Sequence, residues 1–291
     1  MKSMTDAGSA ASPIRLDDKV AIVTGAARGL GRAMAEGLAR AGANVVFTDV
    51  DAAALADTIR AFKRQPGCGD VTAIPCDITN EADCQELVED TVKRFGALHV
   101  LVNNAGKGPA LLEASPRTKS LKFYEADPDI WREIIITNVN GTYLMARAVA
   151  SVMVKAGWGR IVNITTSLPT MQRRHNSPYG VSKAAIEAET LIWAKDLEGT
   201  GVTVNSLIPG GAADTDFVHQ ASRKELAAIG RALLPPAVMV EPIIWLASPL
   251  SDGITGARFV GKLWDARLPP ATAGAKAREA SVLLPVPPDV R

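Results

Sequence analysis

An α/β fold built on a doubly wound parallel sheet is predicted by three features of this sequence. Short apolar runs alternate with helix-like segments, a glycine-rich turn joins the first run to the first helix, and the alternation holds through both halves without a linker or fixed-period repeat. The run Val20-Ala21-Ile22-Val23, ending in Thr24-Gly25, suits a strand buried on both faces. A helix-like stretch from Leu30 to Ala41 follows, stopped by Gly42. Asn44 to Thr48 reads as the second strand, Ala52 to Arg64 as a helix and Val71 to Pro75 as the third strand. A helix from Glu81 to Phe95 and the strand Leu98 to Val102 complete the first half. In the second half, Arg160 to Ile164 reads as a strand, Pro178 to Leu197 as a long helix and Val202 to Ile208 as a strand. Right-handed crossovers between such strands place helices on both faces and ligands at the carboxyl ends of the strands, in a single domain.

Two regions depart from the alternation. Residues 106 to 131 form a long connection rich in Pro, Lys and Ser, read as an excursion near the upper edge of the sheet. The tail, residues 266 to 291, carries Pro269, Pro270, Pro285, Pro287 and Pro288 and has room for a short helix around Ala275 to Leu284. It is expected either to lie on a neighbouring subunit or to be mobile. Residues 1 to 14 are small and polar, lack the apolar core of a secretory signal, and read as a disordered leader.

Bulk composition narrows the function classes. With 47% hydrophobic residues, 22% charged residues and a net charge of +1, nothing calls for nucleic acid or an acidic membrane as partner. No run approaches the ~18 apolar residues that cross a bilayer. Cys68, Cys76 and Cys84 form no C-x-x-C pair, which suits a reduced, cytoplasmic setting. His99, His175 and His219 lack ligand spacing, and no metal is expected.

The segment Thr24-Gly25-Ala26-Ala27-Arg28-Gly29-Leu30-Gly31 lies where the first strand turns into the first helix. Gly25 permits a tight turn, while Gly29, Leu30 and Gly31 bring backbone close to a pyrophosphate at the helix N-terminus. Asp49 ends the second strand eighteen residues beyond Gly31, where a carboxylate accepts hydrogen bonds from adenosine ribose hydroxyls. That charge repels a 2′-phosphate and favours NAD. Arg28 is the competing sign, either pairing with the phosphate of NADP or standing as a solvated charge.

The glycine turn, Asn103-Asn104-Ala105-Gly106 and Tyr179-Gly180-Val181-Ser182-Lys183 together resemble the short-chain dehydrogenase/reductase family, over about Asp17 to Asp265. The resemblance implies a Rossmann-type sheet of about seven strands and an NAD(P)-binding catalytic domain over residues 15 to 265. It implies that Asn104, Ala105 and Gly106 line the adenosine side of the cofactor pocket, with Asp77 and Ile78 at the adenine. Asp77 reads alternatively as a charge ahead of the next helix. Pro209 and Gly210 match the segment over the nicotinamide, and Thr215 matches the family threonine, one place later than usual. Homodimers or homotetramers assembled through the long helices are the family habit.

Tyr179 and Lys183, four apart, share one helix face. A free phenol titrates near ~10, and a neighbouring ammonium with an oxidised nicotinamide is expected to lower Tyr179 into working range. The family serine that holds the substrate oxygen falls at Ser167 or Thr166, twelve or thirteen residues before Tyr179; Ser167 is favoured for its unencumbered hydroxyl. Asn138 resembles the asparagine that holds a water leading to the lysine. By this reading the protein interconverts a secondary alcohol and a ketone with a nicotinamide cofactor, NAD favoured and NADP possible. An NADPH-dependent 3-oxoacyl-thioester reductase is the nearer alternative and a non-catalytic nicotinamide sensor the more distant one. The small-molecule substrate is left open: Arg173 and Arg174 either select an anion or are surface charges. Leu111, Leu112, Phe123 and Tyr124 supply apolar walls or pack on the sheet. Where the family carries a glycine pair after its last strand, this chain has Gly261-Lys262-Leu263-Trp264, an unusual rim.

Overall fold

Strand β1 (Val20–Thr24) is buried along its whole length, because helices cover both faces of the sheet it centres. The computed structural model describes residues 13 to 218, 220 to 228 and 230 to 283. The expected leader, apart from Pro13 and Ile14, lies outside the described residues, as do His219 and the tail beyond Leu283.

The chain continues through α1 (Gly29–Arg40), β2 (Asn44–Thr48), α2 (Ala52–Ala61), β3 (Val71–Ala73), α3 (Glu81–Phe95) and β4 (Val100–Asn103). Helix α2 stops three residues before the expected end because the backbone turns extended at Phe62. Asn80 caps α3 by accepting from the Ala82 N–H, and Gly96, in the left-handed region at φ 77°, closes it. The connection after β4 is not structureless: it holds α4 (Ala110–Ala114) and α5 (Pro128–Ile135). A π-helical turn, Ile136–Asn140, joins α5 without a break to α6 (Gly141–Ala156). The second half adds β5 (Gly159–Ile164), α7 (Leu168–Met171), α8 (Tyr179–Asp196), β6 (Val202–Ile208), α9 (Gln220–Ala228), α10 (Val240–Leu246) and β7 (Arg258–Val260).

The tail differs from expectation. Residues Pro270–Ala277 form α11, earlier than the predicted helix, and Arg278–Glu279 form β8, paired antiparallel to β7. Gly274 lets α11 lie on the Trp245 indole, since a Cβ there would sit 2.6 Å from the ring. The described part of the tail, to Leu283, thereby packs on its own chain.

The sheet has eight strands in the order β3-β2-β1-β4-β5-β6-β7-β8, parallel except for the last pair. The chain winds outward from β1 to β3, then crosses back to lay β4 on the other side of β1. That reversal opens a crevice at the carboxyl ends of β1 and β4. Met34, Leu38, Ile243, Trp245 and Phe259 fill the core on one face of the sheet; Leu87, Leu101, Met145, Val149 and Ile161 fill it on the other. Among the described residues, no helix is long and apolar enough to cross a membrane, no group of metal-ligating side chains occurs, and the three cysteines are free.

Candidate active site

A cavity of about 2120 Å³ lies along the carboxyl ends of the strands. One end is walled by the turn between β1 and α1, the other by the loops after β5 and β6 and by the C-terminal strand.

Gly25 and Gly29 take left-handed φ of 64° and 58°, which an L side chain adopts only at a cost. Gly31 is not on the cavity wall but makes the turn possible: a Cβ there would lie 2.1 Å from the Gly25 carbonyl oxygen and 2.5 Å from Asn104 Nδ2. Helix α1 has no side-chain cap at Arg28, so its first N–H groups, from Gly29 and Leu30, open on the cavity. The turn is pinned from β4. Asn104 Nδ2 donates to the carbonyls of Thr24 (2.9 Å) and Gly25 (3.2 Å), and the N–H groups of Asn104 and Ala105 both donate to Thr24 Oγ1 at 3.0 Å. Asn104, Ala105 and Gly106 all border the cavity. A cradle that a single Cβ would fill, ending at uncapped helical N–H groups, fits the pyrophosphate of a dinucleotide.

Asp49 is half-buried beside this turn, its carboxylate accepting from the Ala27 N–H and the Asp51 N–H, each at 3.1 Å. Arg28 is paired with Asp51 at the exposed rim. Its side chain is 56% exposed, as the solvated-charge alternative expects. Asp77 and Ile78 border the same end, and Asp77 accepts from the Thr79 N–H (2.9 Å) and hydroxyl (2.7 Å). Pro209, Gly210 and Thr215 border the middle of the cavity. Thr215 leans over the glycine turn, its methyl 3.1 Å from where a Gly29 Cβ would stand.

At the other end α8 begins at Tyr179, whose phenol faces the cavity with the Phe217 ring against it at 5.5 Å between centroids. Burial pushes the Tyr179 hydroxyl up to about 12, opposed by a hydrogen bond from Thr166. Lys183 stands one turn along, its ammonium 5.9 Å from the Tyr179 ring centre, and donates to the Ile164 carbonyl at 2.8 Å. Burial lowers Lys183 to about 8, resisted by the charge of Glu187. The expected acidification of Tyr179 is therefore not present in the protein alone, where desolvation of the phenolate is the largest influence on it.

Thr166 and Ser167 both border the cavity with Tyr179. The Thr166 side chain is the one that lowers the Tyr179 phenol, while the Ser167 hydroxyl is paired with Thr170 Oγ1 at 2.9 Å. A serine at the start of a helix finds such a local partner readily. Asn138 lies fully buried behind the wall. Its Oδ1 accepts from the Lys107 N–H (2.7 Å), and its Nδ2 donates to the Lys107 carbonyl and to Ser182 Oγ, both at 2.9 Å. Ser182 Oγ in turn donates to the Tyr179 carbonyl at 2.8 Å, so the π-helical turn anchors the first turn of α8.

The apolar walls differ from those expected. Leu112 is buried in the core, Phe123 and Tyr124 are exposed beside a separate hollow that Arg174 and His175 also line, and Leu111 is off the cavity. Leu168, Phe217, Leu234 and Leu263 border the cavity instead, as does Arg173. Glu279 to Val282 contribute a wall that no pattern in the proline-rich tail announced.

Fold and site together define a dinucleotide-binding enzyme with a tyrosine and a lysine at its reactive end. Residues 19–226 match the profile of the short chain dehydrogenases. A short-chain type dehydrogenase/reductase of Picea abies is 36% identical over 69% of this chain and 73% of its own. A 3-oxoacyl-[acyl-carrier-protein] reductase of Synechocystis is 32% identical over 84% of this chain and 95% of its own. The crystal structure of 3-ketoacyl-(acyl-carrier-protein) reductase from Brucella melitensis complexed with NADH superposes with a TM-score of 0.72, at 30% identity over 84% of this chain and 96% of that one. The chain belongs to the short-chain dehydrogenase family. It is an NAD(P)-dependent oxidoreductase acting on alcohol and carbonyl groups.

Proposed function

We propose that the protein is an NAD-linked enzyme that interconverts a secondary alcohol and a ketone, with Tyr179 as the proton donor and acceptor. The observation that carries this reading is Tyr179 on the cavity wall beside Thr166, with Lys183 one turn along. Gly25, Gly29 and Leu30 hold the pyrophosphate through backbone N–H groups, and Asp49 takes the adenosine ribose hydroxyls. Asp77 and Ile78 lie at the adenine, and Asn104, Ala105 and Gly106 floor the pocket. Arg28, neutralised by Asp51, offers little to a 2′-phosphate. A bound nicotinamide dinucleotide supplies or accepts the hydride. Pro209, Gly210 and Thr215 border the stretch between the pyrophosphate cradle and Tyr179.

In the reductive direction Tyr179 gives its proton to the carbonyl oxygen as negative charge builds there, while the Thr166 hydroxyl donates to the same oxygen. In the oxidative direction Tyr179 takes the alcohol proton. Lys183, held by the Ile164 carbonyl, offers its ammonium to ribose hydroxyls and to the phenolate. Asn138 acts through Lys107 and Ser182, fixing the first turn of α8. The exposed apolar side chains of Tyr143, Val154, Val181 and Ile192 on α6 and α8 support a homodimer or homotetramer built on those helices.

A second reading is 3-oxoacyl-thioester reduction with NADPH; the names of the Synechocystis and Brucella relatives favour its thioester substrate, though the Brucella enzyme is complexed with NADH. Absorbance at 340 nm with NADH and NADPH in parallel separates the two. The panel is cyclohexanone, acetophenone, a 3-ketosteroid and acetoacetyl-coenzyme A. Turnover of a simple ketone with NADH above NADPH is expected; exclusive use of NADPH with the thioester contradicts the first reading and supports the second.

A further inference from the structure

Behind the reactive end lies a buried charged cluster that the reaction itself does not use. Arg258, on β7, and Glu187, on α8 one turn past Lys183, form an ion pair with side chains 1% and 2% exposed. Burying two charges is costly unless every polar atom is engaged, and here the guanidinium is nearly saturated. Its Nη1 serves Glu187 and lies 3.4 Å from Thr165 Oγ1. Its Nη2 donates to the Thr166 carbonyl at 2.9 Å, and its Nε donates to Glu279 on β8 at 3.0 Å. The Thr165 hydroxyl closes the ring by donating to Glu187.

The placement follows from the sheet. Ser206 on β6 is the register partner of Arg258, and Asn163 on β5 is the partner of Ser206. To reach the end of β5, the arginine must extend across β6 past the small Ser206 side chain. The last residue of β5 and the two that follow it are therefore each held: Ile164 by Lys183, Thr165 by Glu187, and Thr166 by Arg258. Thr166 borders the cavity together with Tyr179.

We propose that Arg258 is a positioning residue of the active site: its planar fork, braced by Glu187 and Glu279, fixes the Thr166 backbone so that the Thr166 hydroxyl stays on the cavity wall beside Tyr179. A lysine cannot do the same, because a single ammonium lacks the flat, spread donors that reach Glu187, the Thr166 carbonyl and Glu279 together. Through Glu279 the C-terminal strand, which also walls the cavity, becomes part of the same brace. The inference rests on Tyr179 being the acid and base.

The test uses full-length protein labelled with 13C at tyrosine Cζ. Three tyrosines give three signals, and Tyr179→Phe assigns the one of interest. Arg258→Lys keeps the buried charges paired, and the double variant Glu187→Met with Arg258→Met replaces the pair by apolar bulk that a core accepts. In both, the Tyr179 signal is expected to move while those of Tyr124 and Tyr143 stay. Turnover of the best panel ketone should fall at least tenfold in kcat with KM within threefold, and the Kd for NADH by fluorescence should hold within twofold. An unmoved Tyr179 signal with full kcat in either folded variant overturns the assignment. So does failure of Arg258→Lys to fold, which makes the cluster a structural support. Tyr179→Phe with substantial activity would instead remove the reading beneath it, whatever the Arg258 variants do.

Discussion

Replacing Thr166 by valine removes one hydroxyl and keeps the β-branched shape, so the backbone held by Arg258 has no reason to move. What is lost is the donor beside Tyr179 and, with it, a hydrogen bond to the oxygen that gains charge during reduction. A preorganised donor of this kind contributes about 3 to 4 kcal/mol, or a loss of ~10² to 10³ in kcat on removal. Ser167→Ala is the matched control. Its hydroxyl is spent on Thr170, and losing one partly buried side-chain pair costs about 1 kcal/mol of stability and little rate. Steady-state kinetics at 340 nm, with the Kd for NADH measured by fluorescence, separate rate from binding. A Thr166→Val protein with normal kcat beside a crippled Ser167→Ala protein would refute the assignment and return the role to Ser167.

Gly31→Ala drives a Cβ against the Gly25 carbonyl, 2.1 Å away, so the turn must shift. A fall in stability of about 1 to 3 kcal/mol by denaturant titration and an NADH Kd raised at least ~10-fold by fluorescence are expected. Asp49→Ser removes the carboxylate at the ribose position, and the ratio of kcat/KM for NADPH over NADH should rise by at least ~10-fold, about 1.4 kcal/mol, in the parallel assay. Lys183 is lowered from 10.5 to about 8 by burial, so its charged form is disfavoured in the folded state. That cost is full below about pH 8 and is relieved as pH rises toward the unfolded value. Lys183→Met should therefore raise thermal stability at pH 7, by at most about 3 kcal/mol, while abolishing turnover; lowered stability would contradict the sign.

Much of the fold was legible because the strands are buried on both faces and read as unbroken apolar runs, as in Val20 to Val23 and Val202 to Ile208. The glycine turn, Asn104 and the Tyr179–Lys183 pair were legible for a related reason: a tight turn and a shared helix face leave local spacing that sequence carries. What was not legible depends on contacts between distant segments. Thr166 and Ser167 are adjacent, and only the way the loop leaves β5 sends the Ser167 hydroxyl to Thr170 while Thr166 borders the cavity with Tyr179. Phe217, the Arg258–Glu187 pair and Glu279 join the site across 21 to 92 residues of chain, with no periodicity to mark them. The prolines of the tail suggested mobility, yet Pro270 sits in the first turn of α11, where its missing N–H costs nothing.

The most direct test of Tyr179 as the proton donor and acceptor is Tyr179→Phe, read by turnover and by NADH fluorescence on the same sample. Removing one oxygen from a ring that stays packed on Phe217 should leave NADH binding within twofold of the parent and reduce kcat below detection. Turnover within tenfold of the parent, with binding intact, would contradict it.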